Sequence, residues 1–267
     1  MGGGAVERLL RRDGLVTLGA LGLLVLIAAL YTVFGVGMSM SAIDMTRMAR
    51  PIGAPMQMGM EPEWSPGYAV LVFMMWWVMM VAMMTPSAAP FVLLFAAVKR
   101  AGPEAAMAGR LSTALLAGYL AVWALFSASA VALQYAGEAS GLLNGAMMTL
   151  EGKWLAAGVL ICAGLYQLTP LKTACLRKCR APGQFLAEHR RPGLEGAFRM
   201  GVAHGLFCLG CCWAIMALLF VGGIMNLVWI AGLTAYVLVE KLLPGGEVIA
   251  KLAGAALILL GASVALS

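Results

Sequence analysis

Several uncharged apolar runs, each longer than the roughly 20 residues an α-helix needs to cross a bilayer, govern what this chain can fold into. Hydrocarbon satisfies no backbone N–H or C=O, so segments of this kind cross it as helices. Apolar residues make up 62% of the 267 and charged residues only 11%, more apolar surface than a soluble core explains. The expected architecture is all-α: a polytopic transmembrane helical bundle of about seven spans, near residues 15–36, 68–89, 111–133, 154–168, 200–221, 225–239 and 248–265.

Basic residues are retained on the cytoplasmic side of a membrane. With Arg8, Arg11 and Arg12 inside, 15 of the 18 Lys and Arg residues fall on inner segments, and Arg47, Arg50 and Lys153 fall outside. The N-terminus is then inside and the C-terminus outside. The formal charge of +6 reflects this asymmetry and nearby anionic lipid, so no nucleic-acid partner is needed to explain it. Residues 1–36 read as a retained signal-anchor span, because the apolar run is too long for a cleaved signal peptide and lacks a small-x-small site. Residues 37–67 read as a Met-rich extracytoplasmic loop. Residues 68–267 read as the helical membrane domain, with an inner loop at 169–199.

Sulfur is concentrated within this frame. The outer loop holds Met38, Met40, Met45, Met48, Met56, Met58 and Met60. Thioethers bind Cu(I) without losing a proton and survive where free thiols would pair, so the Met-x-Met run at Met56, Met58 and Met60 suits metal capture outside the cell. Methionine also fills irregular apolar surface, which is the plain alternative. In the second span Met75, Met79 and Met83 recur every four residues and form one stripe, with Met80 and Met84 alongside. Pro86 and Pro90 should kink or interrupt the helix there.

The fifth span carries Cys208-Leu209-Gly210-Cys211-Cys212-Trp213, with His204 one turn earlier. Separations of three and four residues put His204, Cys208 and either Cys211 or Cys212 on one face. At about 1.5 Å per residue, these thiols and the Met stripe reach similar depths near the membrane midplane, and Cys162 of the fourth span lies at a comparable level. Thiolate, thioether and imidazole together favour a soft ion, Cu(I) first and Zn(II) next. The inner loop adds Cys175 and Cys179 among Arg177, Lys178 and Arg180, charges that favour the thiolate. Glu240 and Lys241 are neighbours that diverge on a helix, suited to a helix-end anchor and a contact with the inner loop.

The tryptophan- and methionine-rich run ending in Met83-Met84-Thr85-Pro86, then Pro170-Leu171-Lys172 with Cys175 and Cys179, the Cys208–Trp213 block, Met225-Asn226 and Glu240-Lys241 together resemble a bacterial family of predicted metal-binding integral membrane proteins of unknown function, domain of unknown function 2182. The resemblance covers roughly residues 64–241. It implies a polytopic helical fold and a metal site at these cysteines, and it implies no activity. The Met-rich loop lies outside the resembling motifs.

Three functions fit these residues. One is a soft-metal carrier or membrane metallochaperone, with capture at the outer methionines, passage along the Met75/Met79/Met83 stripe, residence at Cys208, Cys211, Cys212 and His204, and release through Cys175 and Cys179. Its partners are the bilayer, the ion, and a cytosolic or extracytoplasmic metallochaperone or metalloenzyme. A membrane thiol-disulfide oxidoreductase is the second, although no outer loop contains a cysteine to exchange. An assembly or structural subunit of a metalloenzyme complex is the third. Phosphate-binding, serine-hydrolase and zinc-protease motifs are all missing, so a non-enzymatic role is expected.

Overall fold

The computed structural model describes residues 3–38, 40–49, 51–52 and 63–267, with side chains described from residue 14 onward. It is helical nearly throughout. In chain order the elements are α1 (Gly3–Phe34), α2 (Ala42–Arg47), α3 (Pro66–Arg100), a 3-10 turn (Ala105–Met107), α4 (Ala108–Ala139), strands β1 (Leu143–Asn144) and β2 (Thr149–Leu150), α5 (Lys153–Gln167), α6 (Pro170–Arg180), α7 (Pro182–Glu188), α8 (Gly193–Ala217), α9 (Leu219–Gly222), α10 (Leu227–Leu242) and α11 (Gly246–Leu266).

Among the described residues five helices are long and apolar enough to cross a membrane: 14–34, 66–100, 105–139, 193–222 and 246–266. The bent pair α5 and α6 brings this to six at most. The seven expected spans are therefore not all of spanning length. The fourth and sixth fold as α5 and α10, of 15 and 16 residues, about 22–24 Å each and short of a core about 30 Å thick. Large apolar side chains stand exposed along the long helices, among them Leu23, Ile27, Leu125, Leu252 and Leu259. That surface suits lipid and not water.

The expected inner loop at 169–199 is mostly helix. Pro170 has no N–H with which to continue α5, and Thr169 caps the next helix by accepting from Lys172 N at 3.2 Å. The chain turns by 63° at this break, and α6 folds back onto α8. The 37–67 segment contains the short helix α2, capped by Ser41. Met56, Met58 and Met60 lie outside the described residues. Pro86 and Pro90 do not interrupt α3, which runs unbroken for 35 residues. Along its length α3 packs against α1 and α4.

α4 and α8 approach closely because glycine removes the side chain at their crossing. A Cβ on Gly201 would lie 1.9 Å from the Leu115 carbonyl oxygen, and one on Gly118 would lie 2.1 Å from that of Phe198. The bundle has two distinct ends. A Met-rich end carries α2, the β1–β2 hairpin and α9, and a basic end carries α6, α7 and the start of α8. One contiguous buried cluster, containing Met75, Met79, Met80, Met83, Met84, Cys208, Cys211 and Cys212, links the two.

Candidate metal centre

The fifth-span thiols face inward: Cys208, Cys211 and Cys212 are all buried, and all six cysteines of the chain are free. Cys211 Sγ lies 3.3 Å from Cys212 Sγ and 3.9 Å from Cys179 Sγ. Cys175 meets the same helix, since a Cβ on Gly210 would come within 2.7 Å of its sulfur. On α6, Lys172, Cys175, Leu176 and Cys179 follow the three-and-four spacing of a single helical face. The inner thiols, expected as a separate release station, are thus packed onto the fifth-span cluster. Cys162 is not part of it, being exposed on α5.

Charged and hydroxyl groups surround these sulfurs. Lys241 Nζ stands 2.9 Å from Cys208 Sγ and 3.2 Å from Ser87 Oγ, and Tyr119 Oη is 3.1 Å from the same sulfur. Tyr119 also donates to the Met84 carbonyl at 3.1 Å, tying the methionine-rich helix α3 to the thiols. Lys172 and Glu240 form an ion pair with no exposed surface at 2.8 Å, and Lys172 donates to the Cys211 carbonyl as well. Glu240 accepts from Tyr236 at 2.7 Å, and Tyr236 accepts from Gln167 at 2.7 Å. Arg180 donates to the Glu240 carbonyl. Two ammonium groups and one carboxylate are therefore buried beside the thiols, leaving one positive charge to face sulfur. A buried charge is costly unless paired, so this set marks a site built for anionic partners such as thiolates.

Among the described residues, no group of three or more Cys, His, Asp or Glu side chains is arranged to enclose a metal ion. The sulfurs nevertheless suit one pairwise. Two sulfurs each about 2.3 Å from a shared ion sit roughly 3.8–4.0 Å apart at tetrahedral to trigonal angles. The 3.9 Å between Cys179 and Cys211 falls there, while the 3.3 Å between Cys211 and Cys212 is short for it. His204 stands apart. Its ring stacks on Phe91 with centroids 4.2 Å apart, and its buried Nδ1 has no hydrogen-bond partner among the described residues.

Of the residues singled out in the sequence, Cys208, Cys211, Cys212, Cys175 and Cys179 come together, and Met75, Met79 and Met83 are buried in the cluster that contains the first three. Reading the sequence missed Tyr119, Ser87 and the role of Lys172. The predicted divergence of Glu240 and Lys241 is observed: one reaches α6 and the other Cys208. Polar residues at the ends of apolar runs were the available signal.

No curated protein and no solved structure matches this chain. A family model described as "PpoB2: Copper chaperone" matches residues 73–264, which takes in most of α3, the hairpin, the three cysteine-bearing helices α5, α6 and α8 and the Glu240-Lys241 pair and leaves out the Met-rich segment before Trp64. Where the motif resemblance implied a metal and no activity, this match adds copper, and the chain belongs to the PpoB2 copper chaperone family.

Proposed function

We propose that this protein is an integral membrane carrier, or membrane metallochaperone, that holds Cu(I) on the thiols Cys179, Cys208, Cys211 and Cys212. The observation that carries the reading is the contact between thiols of α6 and α8 beside the Lys241 ammonium. Cu(I) is the cargo. A soft ion prefers sulfur over oxygen or nitrogen, and binding to thiols displaces their protons. Lys241 then faces a thiolate, and Tyr119 holds the same sulfur through its hydroxyl.

The basic asymmetry puts the thiol-bearing α6 at the cytoplasmic end and the Met-rich end outside. Methionines of α3 carry the ion between them, since they ligate without charge inside the bundle. Cys175, half-buried against Gly210 beside the site, passes cargo to a soluble metallochaperone or metalloenzyme. The role is binding and transfer, with no bond made or broken in a substrate.

Elemental analysis of detergent-purified protein from copper-supplemented cells tests this directly. Copper near one equivalent or above, retained under reduction and lost in the Cys208→Ser/Cys211→Ser/Cys212→Ser variant, is the expected result. Copper-free protein, or equal occupancy in the variant, would overturn it. Zinc in place of copper under equal supply would overturn the choice of ion.

A further inference from the structure

The β1–β2 hairpin carries no sequence signature, yet it drives two methionines into the bundle. Leu143 pairs with Leu150 and Asn144 with Thr149, leaving four residues to turn. Asn144 Oδ1 accepts from Met147 N at 2.9 Å, and its amide donates to Glu151 at 3.0 Å, so the turn is held from within. Both Met147 and Met148 are almost wholly buried. Met148 has φ of 52°, the one described non-glycine residue with positive φ. Glycine would adopt that conformation freely and a methionine does not.

Three contacts bring other methionines to this turn. Ile224 N donates to the Met148 carbonyl at 3.2 Å, which seats Met225 directly after the contact. Gly223, with φ of 97°, passes beneath the hairpin, where a Cβ would be 3.2 Å from Thr149 Cγ2. Leu227 N donates to Thr46 Oγ1 at 2.8 Å, so α2 caps α10 and brings the buried Met45 toward Met225. Below, Phe220 packs its ring 5.3 Å from that of Trp76, which lies between Met75 and Met79. All of these methionines belong to the buried cluster that includes Cys208.

We propose that Met45, Met147, Met148 and Met225 form a second soft-metal site, an all-thioether Cu(I) site at the Met-rich end that feeds the α3 methionines. Four methionines from three separate segments are buried in one cluster at that end, and the one strained backbone position among them lies at a buried methionine. Cu(I) needs no proton released on entering, so the site binds weakly and exchanges quickly while the thiols hold tightly. This inference rests on the copper reading above.

The test uses full-length protein in detergent, carrying 13C-methyl methionine and titrated anaerobically with Cu(I), which is diamagnetic. Single Met→Leu variants assign the signals. The expected result is a joint shift of the Met45, Met147, Met148 and Met225 methyls, with the exposed Met107 methyl unmoved. In the Met147→Leu/Met148→Leu variant the Met225 shift should be lost while copper still fills the cysteines. Because the shifts are read in the wild-type protein, misfolding of a variant does not decide the result. Filled cysteines with unmoved methyls would overturn the thioether site and leave the copper reading standing. Neither cysteines nor methyls responding would overturn both.

Discussion

The thiol cluster and the methionine column occupy one buried core and are built on opposite principles. Around Cys208 and Cys211 polar groups enter the apolar cluster: Lys241 and Tyr119 at the Cys208 sulfur, and the Lys172–Glu240 pair at the Cys211 carbonyl. Around Met75, Met79 and Met83 the surroundings are aromatic and aliphatic, with Trp76 and Trp123 fully buried among them. A thiol must lose a proton to ligate, and the resulting charge in a buried core needs a fixed counter-charge. A thioether needs neither, so hydrophobic packing alone can hold it. The polar region should therefore be intolerant of single changes, and the apolar one forgiving.

Glu240→Gln should have the largest effect. It strands the buried Lys172 ammonium, and loss of one partner from such a pair costs about 3–5 kcal/mol. Thermal unfolding in detergent should show a large drop, with most of it recovered in Lys172→Met/Glu240→Leu, where neither member of the pair leaves a charge behind. Retention of wild-type stability by Glu240→Gln alone would break the contrast between the regions.

Cys179→Ser and Cys211→Ser come next. Each should fold and lose tight copper, because a hydroxyl is a poor ligand for a soft ion. Lys241→Met should keep all sulfurs yet weaken copper affinity about tenfold or more, given that a hydrogen bond to a charged group contributes about 1.5–3 kcal/mol. Competition with a chromophoric Cu(I) chelator reads both. Met79→Leu, on the other side of the comparison, should cost under about 1.5 kcal/mol of stability because it nearly conserves volume. Equal losses from Lys241→Met and Met79→Leu would show that the surrounding charge does not distinguish the two regions.

The smallest effect lies outside both. At the basic end the Glu104 carboxyl is held below its ordinary value by the hydrogen bond from Lys99 and then by that from Gly193 N. A depressed carboxyl contributes stability above its unfolded value, and that contribution fades as pH falls through the lower folded one. Glu104→Gln should therefore flatten slightly the loss of melting temperature below about pH 4. Copper occupancy should not move.

Much of this architecture is legible in the amino-acid sequence. Long apolar runs announce the long helices, whereas α6 starts, through a side-chain cap and a first-turn proline at Thr169-Pro170, inside the stretch expected as an inner loop. The spacing of Cys175 and Cys179 puts both on one face. It does not say which helix that face meets, because the 63° turn that lays α6 on α8 is a tertiary choice. Tyr119 and Ser87 escape for the same reason: each lies far in sequence from the sulfur or ammonium it touches. Met147 and Met148 sit in a hairpin of two-residue strands, too short to carry any period, so nothing marks them as buried.

The Lys172–Glu240 pair also has a bearing on biogenesis. The two residues are 68 positions apart, and Glu240 emerges from the ribosome long after Lys172 and also after the thiols of α6 and α8. At about 5–20 residues per second, the lysine waits on the order of several seconds for its carboxylate. Until α10 is made, Lys172 of α6 has no neutralising partner with which to settle against Cys211. The thiol site is thereby among the last parts of the protein to close, and a half-made chain offers no finished place for copper to lodge.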